Sequence, residues 1–88
     1  LYQKTVRVPN RLGIHARPAA LIVRKASTFR SEIVLSAGGE EVNAKSIMGV
    51  MTLAAGMGSE IMITADGPDE RKAADDLAAL ISTGFGED

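Results

Sequence analysis

Proline is tolerated in an α-helix only in the first turn, where its missing N–H leaves no hydrogen bond unmade. Pro18 stands at the head of a helical pattern in which Ala19, Ile22, Val23 and Ala26 recur at i, i+3, i+4 and i+7. That spacing predicts a core-facing stripe on a helix from Ala16 to about Ser27, and Pro18 sets its start at or next to His15. Arg17, Ala20, Leu21 and Arg24 repeat the spacing on another face, mixing charge with apolar surface.

The remaining segments alternate between the two periodicities. Tyr2–Val8 reads as a strand, broken by Pro9-Asn10, with a loop running on to His15. Ile33-Val34-Leu35 and the short stretch Glu40–Asn43 flank Gly38-Gly39, a hairpin signal. Ser46 precedes Ile47-Met48-Gly49-Val50-Met51, enough for one or two helical turns, and residues 54–58 read as a loop. Glu60–Asp66 alternates as a strand with Ile61, Ile63 and Ala65 on one side, and Gly67-Pro68 stops it. Asp69 is placed to cap a last helix, Glu70 suits its first turn, Ala73, Leu77, Leu80 and Ile81 form its core stripe, and Gly84 ends it. Strand–helix–strand–strand–short helix–strand–helix within 88 residues predicts one α+β domain, residues 1–88, with helices covering one face of a small, mainly antiparallel sheet.

Composition narrows the function classes. Aromatic residues make up only 3% of the chain, so the core is aliphatic and the stacking platform of a single-stranded RNA reader is missing. A net charge of −1 also argues against a general nucleic-acid binder. Cysteine is absent, which excludes disulfides, thiolate nucleophiles and cysteine-based metal sites, and one histidine cannot assemble a metal centre. No apolar run approaches the roughly 20 residues of a membrane span, and no basic-then-apolar leader opens the sequence. The expectation is a protein of the cytoplasm without a membrane partner. A domain this small hides no deep substrate cavity, so its chemistry belongs on the surface and is shared with a partner.

His15 is the candidate centre. A lone histidine is compatible with an ordinary surface or satisfied polar residue, but this one stands where a helix begins. First-turn amides there are unpaired and attract anions, and Arg17 adds a planar guanidinium suited to phosphate oxygens. An imidazole so placed can attack a phosphoryl group, and the positive field favours its neutral, nucleophilic form. The residues alone support an anion site at a helix N-terminus beside a mixed Arg17/Ala20/Leu21/Arg24 docking face. Ser46 at the head of a short helix reads as a capping serine.

The segment Gly13-Ile14-His15-Ala16-Arg17-Pro18-Ala19-Ala20 resembles the active-site motif of the histidine-containing phosphocarrier protein family, HPr, of the bacterial phosphoenolpyruvate-dependent sugar phosphotransferase system. Lys45-Ser46-Ile47-Met48-Gly49-Val50-Met51 is similar to that family's second signature, in the form with a regulatory serine. The resemblance spans essentially the whole chain. It implies an open-faced β-sandwich: a four-stranded antiparallel sheet with three helices packed on one face. It implies a phosphoryl carrier, not an enzyme, and no cofactor. His15 would accept phosphate through Nδ1 from the phosphohistidine of Enzyme I and donate it to Enzyme IIA domains, while Arg17 neutralises the group in transfer. Ser46 would be the target of HPr kinase/phosphorylase, with a catabolite-control transcription factor as a further partner. Ala20, Arg24, Ile47, Met48 and Met51 would serve docking, and the molecule would act as a monomer. With so short a helix, Ile47, Met48 and Met51 cannot all be buried. Leu12, Ala54 and the acidic residues at the end match nothing diagnostic.

Overall fold

The computed structural model describes residues 1–53 and 55–87; Ala54, read as loop, and the acidic Asp88 lie outside the described residues. The elements are β1 (Tyr2–Arg7), α1 (Ala16–Ala26), β2 (Glu32–Ala37), β3 (Glu40–Asn43), α2 (Ile47–Thr52), β4 (Glu60–Asp66) and α3 (Glu70–Ser82), with a 3₁₀ turn at Gly84–Gly86. The strands form one sheet in the order β1-β4-β2-β3, antiparallel throughout. The β2–β3 hairpin turns at Gly38-Gly39, both in the left-handed region that two-residue hairpins require.

Alternation decides which side of the sheet is covered. Ile33 and Leu35 of β2 and Ile61, Ile63 and Ala65 of β4 are buried together beneath α1 and α3, and Met62 and Asp66 face outward. Each fully buried Ile or Leu here contributes roughly 1.5–3 kcal/mol of transfer free energy. On α1 the buried set is Pro18, Ala19, Ile22 and Ala26, and Val23 is only half-buried at the edge of the stripe. On α3 the buried arc runs through Ala73, Ala74, Leu77, Ala78 and Ile81, leaving Leu80 half-buried. The arc is thus centred on Ala73, Ala74, Leu77 and Ala78, with Leu80 at its edge packed against the core.

Asp69 occupies the N-cap position of α3, but its side chain caps nothing in its own helix. It reaches across to the end of the α1–β2 connection, accepting from the Arg30 amide at 2.9 Å, the Ser31 amide at 3.0 Å and the Ser31 hydroxyl at 2.6 Å. Glu70 supplies the local bond instead, accepting from the Gly67 amide at 3.1 Å. The Ser31 hydroxyl, followed by the Arg30 amide, holds the Asp69 carboxyl at about 2, below its usual value. A carboxyl depressed by folding stabilises the native state fully above its unfolded value, and that contribution is lost as pH falls toward the folded one. Asp69→Asn is therefore expected to be less stable than the parent at neutral pH, with the gap closing between about pH 4 and pH 2. Urea unfolding at several pH values checks this; a gap that stays constant through the window contradicts it.

Candidate functional site

The β1–α1 loop is shaped by Gly13. Its φ of +69° favours glycine, and a Cβ there would collide with the Ala55 carbonyl oxygen and lie 2.7 Å from Gly56 Cα. The close approach lets the Ile14 amide donate to the Ala55 carbonyl at 2.8 Å, pinning the loop just before His15. Asn10, 1% exposed, braces the same loop by donating from Nδ2 to the Gly13 carbonyl at 2.8 Å.

His15 is the N-cap residue of α1, with extended backbone angles and no side-chain capping bond. Ala16 and Arg17 are the first two helical residues, Pro18 has no N–H, and the Ala19 amide donates to the His15 carbonyl at 2.9 Å. The amides that the helix cannot pair internally are thus those of Ala16 and Arg17. The imidazole is 38% exposed, neither sealed in the core nor fully in solvent.

Its Nε2 lies 3.0 Å from both carboxylate oxygens of Glu87, and Nδ1 has no partner among the described residues. Glu87 Oε1 also accepts from Asn10 Nδ2 at 3.1 Å, and Oε2 from Arg17 Nη1 at 3.4 Å. Arg17 Nη1 makes its shorter bond, 2.8 Å, to the Phe85 carbonyl. The imidazole bond, with help from Asn10 and Arg17, lowers the Glu87 carboxyl from its usual value, so it is an acceptor at neutral pH.

Glu87 was missed in the sequence, where the acidic end carried no pattern. It is delivered by an unusual turn: Gly84, Phe85 and Gly86 all have positive φ, at 72°, 59° and 75°. Phe85 is a bulky residue in the left-handed region and is 3% exposed, so its buried ring anchors the turn against this conformational cost. The Gly-Phe-Gly pattern is the one local signal that the chain doubles back after α3. Nothing local points to His15, 72 residues away. Arg17 is engaged at the same turn, donating to the Phe85 carbonyl and the Glu87 carboxylate.

Most of the other candidate residues stand at the surface. Ala20 and Arg24 are exposed on α1. Ile47, Met48 and Met51 are 41%, 74% and 47% exposed, so α2 buries only Val50 and leaves all three at the surface. Leu12, which matches no diagnostic pattern, is 70% exposed on the loop before His15. Ser46 caps α2, its hydroxyl accepting from the Gly49 amide at 3.2 Å. Lys45 is structural, donating to the Phe29 carbonyl at 2.8 Å. Among the described residues no group of three or more His, Asp or Glu could hold a metal ion, and no helix is long and apolar enough to cross a membrane.

The chain is similar to known proteins over nearly its whole length. Residues 2–83 match the family model described as "PTS HPr component phosphorylation site". The chain is 48% identical over 87 residues to the phosphocarrier protein HPr of Cupriavidus necator, covering 99% of this chain and 98% of that one. It is 55% identical over 85 residues to the HPr of Treponema pallidum, covering 97% of each. A crystal structure of an HPr from Thermoanaerobacter tengcongensis superposes with a TM-score of 0.94 at 43% identity, covering 100% of this chain and 99% of that one.

Proposed function

The chain belongs to the HPr family, phosphocarriers of the phosphotransferase system that are not themselves enzymes, and on that premise we propose that Nδ1 of His15 is the atom that carries the phosphoryl group. The Nδ1 lone pair attacks phosphorus on the phosphohistidine of Enzyme I. The donor N–P bond breaks and its electron pair returns to the donor ring. The reverse geometry passes the group to a histidine of an Enzyme IIA domain. Arg17 leaves its present acceptors to neutralise the phosphoryl oxygens, and the Ala16 and Arg17 amides face the same charge. One observation carries this reading: the ring at the α1 N-cap is accessible, with Nε2 engaged and Nδ1 unpartnered among the described residues. The direct test is incubation with Enzyme I, magnesium and phosphoenolpyruvate. One acid-labile, base-stable phosphate per chain, transferable to an Enzyme IIA domain, is the expected result; no such adduct overturns the reading.

Residues 1–88 act on this reading as one monomeric HPr domain in the cytoplasm, requiring no cofactor. Ala20, Arg24, Ile47, Met48 and Met51, with Leu12 added, form the docking face for Enzyme I and Enzyme IIA. Met side chains adapt to more than one partner surface, which suits a carrier with both a donor and an acceptor.

Ser46 is proposed as a regulatory phosphorylation site for HPr kinase/phosphorylase, with the phosphorylated form binding a catabolite-control transcription factor. Support comes from the Lys45–Met51 signature and from the position of Ser46 at a helix start, where a dianion is favourable. A dianion beside the docking face also repels an acidic partner and slows carriage. Ser46→Ala is expected to block kinase-dependent phosphate incorporation and to cost about 1 kcal/mol through loss of the cap. Kinase assay and thermal unfolding read the two effects separately; incorporation that persists in the variant assigns the phosphate elsewhere.

A further inference from the structure

Glu87 is held too well for an incidental surface ion pair. Three donors of the β1–α1 loop and the first turn of α1 converge on its carboxylate from the far end of the chain: His15 Nε2 at 3.0 Å to both oxygens, Asn10 Nδ2 at 3.1 Å and Arg17 Nη1 at 3.4 Å. Asn10 is itself 1% exposed and tied to the Gly13 carbonyl, and the Glu87 side chain is 20% exposed. The buried Phe85 ring fixes the approach of the turn, and its carbonyl takes the shorter bond from Arg17.

An ionised carboxylate only accepts hydrogen bonds. A neutral imidazole carries one N–H, so a carboxylate on Nε2 requires the proton there and leaves the lone pair on Nδ1. We propose that Glu87 is a positioning residue for the phosphoryl acceptor: its carboxylate caps Nε2 of His15, selects the ring tautomer with the lone pair on Nδ1, and makes Nδ1 the one nitrogen open to phosphorus. This rests on His15 being the phosphoryl carrier and adds the group that chooses between its two nitrogens. When Nδ1 bonds to phosphorus while Nε2 keeps its proton, positive charge spreads over the ring. Glu87 already stands opposite that charge, the relation by which a carboxylate supports an imidazolium in a catalytic triad.

Phosphoramidate, a small donor with no docking surface, separates this claim from the Enzyme I reaction. The His15 lone pair attacks its phosphorus, the donor P–N bond breaks, and the protonated amino group leaves as ammonia. The full-length chain and its Glu87→Ala and Glu87→Gln variants are phosphorylated briefly, before the isomers redistribute. Phosphorus and nitrogen-15 NMR then assign the phosphate to Nδ1 or Nε2, and amide spectra confirm the fold. The parent should give the Nδ1 adduct alone, and Glu87→Ala should place about one tenth or more of its phosphate on Nε2. Glu87→Gln keeps a carbonyl acceptor for the Nε2 proton and should retain Nδ1 selectivity. A Glu87→Ala adduct confined to Nδ1, a parent adduct at Nε2, or a Glu87→Gln product matching that of Glu87→Ala each overturns the proposal. A parent that takes phosphate at Nδ1 from phosphoramidate but none from Enzyme I leaves this proposal standing and removes the carrier reading instead.

Discussion

His15→Ala is expected to abolish the acid-labile phosphoryl adduct completely while leaving the folded protein intact. His15 is the only histidine in the sequence and cysteine is absent, so no second imidazole or thiolate is available to substitute. Phosphate on serine survives acid and an acyl phosphate on Asp or Glu is lost in base, so acid lability with base stability marks a nitrogen–phosphorus bond, and its loss in His15→Ala assigns that nitrogen to the ring. The variant should fold because the imidazole makes no capping bond to α1 and is part-exposed. Its removal takes one donor from Glu87, which still accepts from Asn10 and Arg17. The stability change should stay within about 0.5–1 kcal/mol, as for substitutions that open no cavity and strand no buried group. Phosphate incorporation from Enzyme I and phosphoenolpyruvate, measured beside a thermal unfolding curve, reads both halves. Undiminished incorporation moves the carrier site off His15.

How much of this centre was legible in the sequence follows from how local each signal is. Pro18 and the Ala19/Ile22/Ala26 stripe determine where α1 starts, and so place His15 at its N-cap. Gly13 marks a backbone position without room for a side chain, though its partner across the gap, the Ala55–Gly56 segment, is beyond local pattern. The β-hairpin, the antiparallel sheet and both long helices follow from periodicity and turn residues. Asp69 shows the first kind of miss: an N-cap residue by position whose carboxylate is drawn to three donors at Arg30 and Ser31. Glu87 shows the second kind. Its role depends on a turn of three positive-φ residues and on contact with a loop at the other end of the chain, and neither has a periodic signature. Charge is unevenly spread, basic in the first third and acidic in the last quarter, but that pattern pairs no particular residues. The fold turns that asymmetry into the Arg17–Glu87 contact.

The second large effect is expected at Arg17. In the resting state its side chain is 59% exposed and the guanidinium donates to the Phe85 carbonyl at 2.8 Å, with Glu87 Oε2 at 3.4 Å. Five donors on a planar group leave it able to release one acceptor and take phosphoryl oxygens in a bidentate grip. Removing a donor aimed at developing negative charge typically costs about 10²–10³ in rate, so Arg17→Ala should slow phosphoryl acceptance by that order. The loss should fall on kcat more than on KM, because the charge it stabilises develops during transfer and not on docking. Arg17→Lys should lie between the two, since an ammonium restores the charge but not the fork. The fold should lose little, about 0.5–1.5 kcal/mol for the one short bond to the Phe85 carbonyl. Rapid-quench measurement of phosphate transfer from phosphorylated Enzyme I across a range of carrier concentrations separates kcat from KM. An Arg17→Ala variant that accepts phosphate at the parent rate would leave Arg17 as a strut for the Gly84–Gly86 turn, with transfer supported by the α1 amides alone.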